Sequence, residues 1–345
     1  MEKALKLTHK GLKQINLSKT LQSIIAGIFI LAFILAASVF AGSKISIGSG
    51  NWNNPAIWNP SGIPGAGGNV TIANASIITI PADAACQNLT VFSTGQLTLG
   101  QNIRIAIGGN IVIDGRMNMN KGMITVGSIG RSFKISSGGT FIWDPAINTS
   151  AEATLFTSCV ENFATGSNLI IKNWFNYTTP LGDKITGNFG NLEINSPGGN
   201  NSIVEWNQNN QFENHRVTGT LTIDQGWVTL DKSGSITNTS IGNIVLKNAN
   251  SIFYGHNGTH ASSFNLTTGN ITNNGGVFYG LNDGNGNITV QVTGNFFNTG
   301  NVKIINNSGI PNVSNGNATL NITGSFTQNT GDTRIVYNIA TLNSG

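Results

Sequence analysis

The sequence predicts an all-β chain, a single-stranded right-handed parallel β-helix that follows an N-terminal signal or anchor helix. Three observations predict it. Short alternating segments recur along the chain, Gly and Asn clusters separate them, and one motif returns at a period in the low twenties. Strands this short, evenly punctuated and without helical periodicity belong to sandwiches, barrels or solenoids. A repeat of that length is one coil of a solenoid. Tandem β-sandwiches are the alternative, since they too are built from short alternating strands.

Residues 1–41 read as the targeting segment. Lys3, Lys6, Lys10, Lys13 and Lys19 face a single acid, Glu2, and an uncharged apolar run extends from Ile24 to Phe40. Val39-Phe40-Ala41 then offers the small residues that a signal peptidase reads. The run is also close to the shortest that spans a bilayer. An uncleaved anchor, with membrane contact through residues 24–41 alone, is therefore the other reading. Either way the lysines stay inside and the remainder is exported.

Removing the leader changes the meaning of the charge. The chain carries 18 basic and 14 acidic residues, and without the leader thirteen of each remain. A phosphate-binding surface needs clustered Lys and Arg. No such cluster follows Gly42, so a nucleic-acid partner is not expected. Charged residues are only 9% of the chain, while Gly alone accounts for 44 of 345 positions. Good helix formers are scarce. Apolar residues still make up 39%, enough to bury a core and too many for a disordered chain.

The strands follow in order. Val70-Thr71-Ile72, Leu89-Thr90-Val91, Leu97-Thr98-Leu99, Ile111-Val112-Ile113, Leu192-Glu193-Ile194, Leu221-Thr222-Ile223, Ile244-Val245-Leu246 and Ile288-Thr289-Val290 each place apolar side chains on one side and polar ones on the other. The repeat reads Gly-Asn/Thr-Leu/Ile-x-Ile/Leu/Val. Its first apolar residues are Leu169, Leu192, Leu221, Ile244, Phe264 and Ile288, with gaps of 23, 29, 23, 20 and 24. Ile252-Phe253-Tyr254-Gly255 returns as Val277-Phe278-Tyr279-Gly280. Val292-Thr293-Gly294-Asn295-Phe296 returns as Ile322-Thr323-Gly324-Ser325-Phe326. Stacked coils would align apolar residues into internal ladders and turn asparagines into hydrogen-bonded rows. The expected organisation is a leader over 1–41, an N-terminal cap over 42–80 and solenoid repeats over 81–345. The chain stops at Leu342-Asn343-Ser344-Gly345 in mid-pattern, as expected of a piece of a larger surface protein.

Residues 48–72 carry a resemblance. Trp52 and Trp58 are six positions apart, Gly62-Ile63-Pro64 and a glycine-rich turn follow, and Asn69-Val70-Thr71-Ile72 opens the first strand. This resembles the start of secreted surface proteins of Bacteroidota and related bacteria, and of the extracellular domain named for its eight glycines. Asn69 stands where Asp is commoner. The resemblance covers about 35 residues, and the rest matches in its glycine-rich, pectin-lyase-like repeat style. It implies a β-helical, carbohydrate-related surface protein and is silent on activity. Physically, Trp52 and Trp58 suit a cap over the apolar end of the first coil. A sugar-stacking platform is the functional alternative.

Candidate chemistry is sparse. The carboxylates weighed for a glycosidase pair are Asp114, Asp183, Glu193, Glu205, Glu213, Asp224, Asp231 and Asp283. Glu193 and Asp224 could meet on adjacent coils, although Glu193 alternates toward solvent. His256 and His260 have metal-ligand spacing in a turn-prone stretch, without a neighbouring Cys or acid. Asn282-Asp283-Gly284-Asn285-Gly286-Asn287 is a single turn with one acid, short of the stacked copies that bind calcium. Cys86 and Cys159, three coils and roughly 14 Å apart by uniform spacing, are expected as unpaired, buried thiols. No residue is assigned as catalytic, cofactor-binding or metal-binding, and no cofactor is expected. The expected function is an exported cell-surface structural or adhesive β-helix whose partners are glycans or other surface proteins. A carbohydrate-active lyase or hydrolase is the alternative.

Overall fold

The structure, a computed structural model, describes residues 42–127, 130–144, 159–173, 188–197, 203–205, 217–231, 238–257, 263–282, 287–307 and 318–338. The chain divides into two compact units, Met1–Gly42 and Ser43–Gly345. The second is a β-solenoid. Its strands pair in parallel with the strand one coil later, so sequence neighbours lie on different faces. Among the described residues the one antiparallel pairing is Trp58–Asn59 on Lys44–Ser46. Parallel pairing between strands a coil apart excludes the tandem-sandwich alternative.

Three faces make the coil. The first begins with Lys44–Ser46, Val70–Ile72, Leu89–Val91 and Ile111–Ile113. The second begins with Gly50–Asn51, Ile77–Ile80, Gln96–Leu99 and Arg116–Asn118. The third begins with Ala84–Cys86, Arg104–Ile107 and Met123–Val126. Coil stacking thus starts at Lys44. On the second face twelve strand segments stack among the described residues, ending at Phe326–Gln328. Eleven steps at ~4.8 Å give a rod roughly 50 Å long.

The core is a set of ladders. On the second face Ile78, Leu97, Met117, Phe141, Leu169, Leu192, Leu221, Ile244, Ile271 and Phe296 lie in register, each exposed by 2% or less. Each buried aliphatic side chain contributes ~1.5–3 kcal/mol. The repeat is therefore real from Leu169 to Ile244, but its next members are Ile271 and Phe296. Phe264 and Ile288 pair with each other on the first face. The same apolar-x-apolar pattern serves two faces of one coil, and the sequence spacing had merged them. The other echoes hold: Phe253 lies in register with Phe278, and Phe296 with Phe326.

The glycine and asparagine of the motif have separate tasks at the corner before the second face. Gly190, Gly219, Gly242, Gly269, Gly294 and Gly324 occupy this corner. Gly269 N donates to Gly242 O at 2.6 Å and Gly294 N to Gly269 O at 2.8 Å. A Cβ on Gly242 would overlap the carbonyl oxygen of Gly219. Asparagine then links coils where the strands bend. Asn270 N donates to Asn243 Oδ1, Asn295 N to Asn270 Oδ1, each at 2.9 Å, and Ser325 N to Asn295 Oδ1 at 3.0 Å. An earlier row joins Asn69, Asn88 and Asn110 at the corner before the first face.

One inward row changes character. Ile80, Leu99, Trp143, Ile171, Ile194, Ile223 and Leu246 give way to Asn273 and Asn298, both fully buried. Asn273 Nδ2 donates to Asn298 Oδ1 at 2.9 Å, and Gly300 N donates to the same oxygen at 3.0 Å. At the other end Trp52 and Trp58 are buried against each other edge-on, with centroids 5.3 Å apart. Trp58 Nε1 donates to Trp52 O at 2.9 Å. Burial is what a cap requires and removes Trp58 from any role as an open sugar platform.

Two outcomes follow. Gly242→Ala should lower unfolding free energy by about 1–3 kcal/mol. Gly65→Ala, where a Cβ meets nothing within 4 Å, should change it by less than ~0.5 kcal/mol. Asn298→Ala should cost roughly 1–3 kcal/mol, because it strands the N–H of Gly300 and removes one of the three acceptors of Asn273 Nδ2. Chemical denaturation of the unit Ser43–Gly345 measures each.

Candidate surface groove

The outward row of the second face carries the surface chemistry. Thr79, Thr98, Asn118, Ile142, Ile170, Glu193, Thr222 and Val245 stand in register along it. Alternation within Asn191–Asn195 points Leu192 and Ile194 inward, which leaves Glu193 outward. A register shift follows: Glu193 pairs with Thr222, but Asn195 pairs with Gln225. The shift makes Asp224 an extra residue, as in a β-bulge.

The bulge brings two carboxylates together. Lys247 Nζ lies 3.4 Å from Glu193 Oε1 and 3.7 Å from Asp224 Oδ2, so those oxygens are no more than 7.1 Å apart. Asn195 Nδ2 donates to Asp224 Oδ2 at 2.9 Å. The sequence had anticipated the meeting of Glu193 and Asp224, and missed Lys247. That lysine is 54 positions from Glu193 and two coils away, and no local pattern signals it. From this cluster a shallow groove of ≈ 420 Å³ runs to Arg116, past Thr222, Ile170, Asn168 and Thr140. It presents hydroxyls and amides at one-coil spacing, with a guanidinium at one end and a carboxylate at the other.

Glycoside hydrolysis uses carboxyl pairs ~5–9.5 Å apart, and the upper bound of 7.1 Å on this pair lies inside that range. That chemistry also needs one carboxyl to carry a proton. The ammonium of Lys247 lies within ion-pair distance of both carboxylates and offsets one of their two negative charges. An ion cluster this exposed contributes little to stability, at most about 1 kcal/mol. Its clearest role is to hold the bulge.

The other candidates scatter. Asp114 sits at a corner, its N–H bonded to Val91 O. Glu205 and Asp231 lie on third-face strands, Ile203–Glu205 and Val217–Asp231. His256 lies on the strand Ser251–Asn257 rather than in a loop, and its backbone is in register with Asp231. Asp183, Glu213, Asp283 and His260 lie outside the described residues, as do residues 24–41. Among the described residues no three His, Cys, Asp or Glu gather around a common point, and no helix is long and apolar enough to cross a membrane.

Cys86 and Cys159 are free and buried. The register runs from Cys159 through Arg131 and Gly109 to Gln87, the residue after Cys86, so the two thiols stand about three coils and roughly 14 Å apart, as the sequence spacing predicts. Burial pushes the Cys86 thiol up to about 12. Burial, then Glu161, pushes Cys159 up to about 11.

Comparison with protein-family models, curated proteins and solved structures gave no match for this chain.

Cys86 makes stability depend on pH. In the unfolded chain the thiol ionises near 9, and in the folded chain near 12. Between these values the unfolded state holds fewer protons, so raising the pH favours unfolding. Unfolding free energy should fall from about pH 9 to 12, by up to ~1.4 kcal/mol per pH unit. The difference between parent and Cys86→Ala across that window isolates the effect; parallel curves would refute it. Lys247→Met should cost less than ~1 kcal/mol, read from denaturation midpoints.

Proposed function

We propose that this chain is an exported surface protein, structural or adhesive, whose solenoid displays polar outer faces to glycans or to other surface proteins. The groove of the second face carries this reading. Its threonines and asparagines repeat at one-coil spacing, and the carboxylate at its end, Glu193, pairs with Lys247. Regularly spaced weak contacts bind repetitive ligands through avidity rather than through one tight site. The basic, then apolar leader supports export. The resemblance of residues 48–72 to Bacteroidota-type surface proteins supports the same class.

Expression of the full chain in a bacterial host tests the export half. The surface fraction should contain a product beginning near Gly42, or the intact chain if the leader stays as an anchor. Full-length protein confined to the cytoplasm would sink the proposal. A glycan array tests the adhesive half.

A carbohydrate-active enzyme is the second reading, favoured by the proximity of Glu193 and Asp224. On the adhesive reading no polysaccharide yields new reducing or unsaturated ends. Release that vanishes in both Glu193→Gln and Asp224→Asn would replace that reading with the enzymatic one.

A further inference from the structure

We propose that the corner joining the second and third faces at Gln225–Trp227 binds a pyranose ring of an uncharged oligosaccharide. The strand Val217–Asp231 runs through this corner, and Gly226, with φ of +101°, bends it. Gly226 N donates to Asn250 O at 3.0 Å, which fixes the turn of the following coil beside it. Trp227 emerges half-buried on the outer side of the third face, in register with Ile252. Its ring leans on Tyr254 with centroids 5.8 Å apart. Tyr254 in turn stacks on Tyr279 at 4.7 Å with ring planes 4° apart. The indole is therefore held in place rather than free to rotate.

Beside it lies a cleft of ≈ 330 Å³, walled by Trp227, Ile252, Ala249 and Pro197 and edged by Gln225 and Asn250. Among the described residues, the side-chain amides of Gln225 and Asn250 have no hydrogen-bond partner. The backbone of Asn250 is nevertheless rigidly placed, its N–H bonded to Asn248 Oδ1 at 2.9 Å. A flat apolar wall with convergent amides at its rim is the composition of a small-molecule site. None of the described lining residues is charged, so among them a phosphate or carboxylate finds no counter-ion. A purely apolar ring would leave both amides unmatched. A neutral pyranose fits both requirements, with C–H groups on one face and hydroxyls around the edge. The inference rests on the adhesive reading for the class of ligand, and it names one site.

Four hexasaccharides serve as probes: β-1,4-linked glucose, xylose, mannose and N-acetylglucosamine, each titrated against the exported unit. Calorimetry reads affinity, and the indole N–H resonance of Trp227, identified through Trp227→Phe, reads location. One probe at least should move that resonance. Trp227→Ala should weaken its binding about tenfold or more. The double variant Gln225→Ala/Asn250→Ala should weaken it severalfold with an unchanged melting temperature. If a probe binds while the Trp227 resonance stays still and both variants bind like the parent, the site proposal fails and the adhesive reading stands. If no probe binds, the site proposal also fails; a silent glycan array in addition removes the adhesive reading.

Discussion

Everything in this molecule depends on in-register stacking of one coil on the next. A parallel step of ~4.8 Å satisfies the backbone and sets each side chain on its counterpart one coil away. The constraint is severe, because a slip of one residue turns every apolar side chain outward. It also explains the composition. Like stacks on like, so Ile, Leu and Phe form internal columns, Asn forms corner columns, and Gly fills the places where coils touch too closely for a Cβ. Scarcity of charge follows as well, since a like charge repeated at each step would repel its neighbour. Where charge does appear in a column, as at Glu193, a cation from another coil stands beside it.

Much of this was legible in the sequence. Leu192, Leu221 and Ile244 announce the ladder because each follows a glycine and a short polar residue at coil spacing, and Leu169 follows Gly166-Ser167-Asn168. Tyr254 and Tyr279 announce the third face because two adjacent coils repeat a four-residue string. The outward direction of Glu193 could be read from strict alternation. The error at Phe264 is instructive: periodicity reports that a coil has passed, but not which face an apolar pair occupies when two faces use the same pattern.

The rest was hidden for physical reasons. Asn273 ends Ile271-Thr272-Asn273, and a polar residue at a strand end reads as the start of a turn. Only the column shows it to be interior, where Asn298 supplies the partner that makes burial tolerable. Lys247 could not be placed because Glu193 lies two coils away across the bulge at Asp224, and bulges leave little trace in sequence. Trp227 drew no attention because a single tryptophan beside a glycine has many possible settings. Its significance lies in Asn250 and Pro197, which adjacent coils bring to it. Sites on a solenoid are in general made across coils, so their residues are separated by whole periods.

The corner column of glycines has an evolutionary consequence. It ties successive coils by contact at one point and leaves the contour between such points free. Coil lengths here range from 19 residues, Ile78 to Leu97, to 30, Phe296 to Phe326, while the inward ladder from Ile78 to Phe296 stays in register. Insertions and deletions between corners are thereby uncoupled from the core. A lineage carrying this architecture can exchange or lengthen surface loops, or duplicate an entire coil, and diversify what its exterior meets while the same internal columns persist.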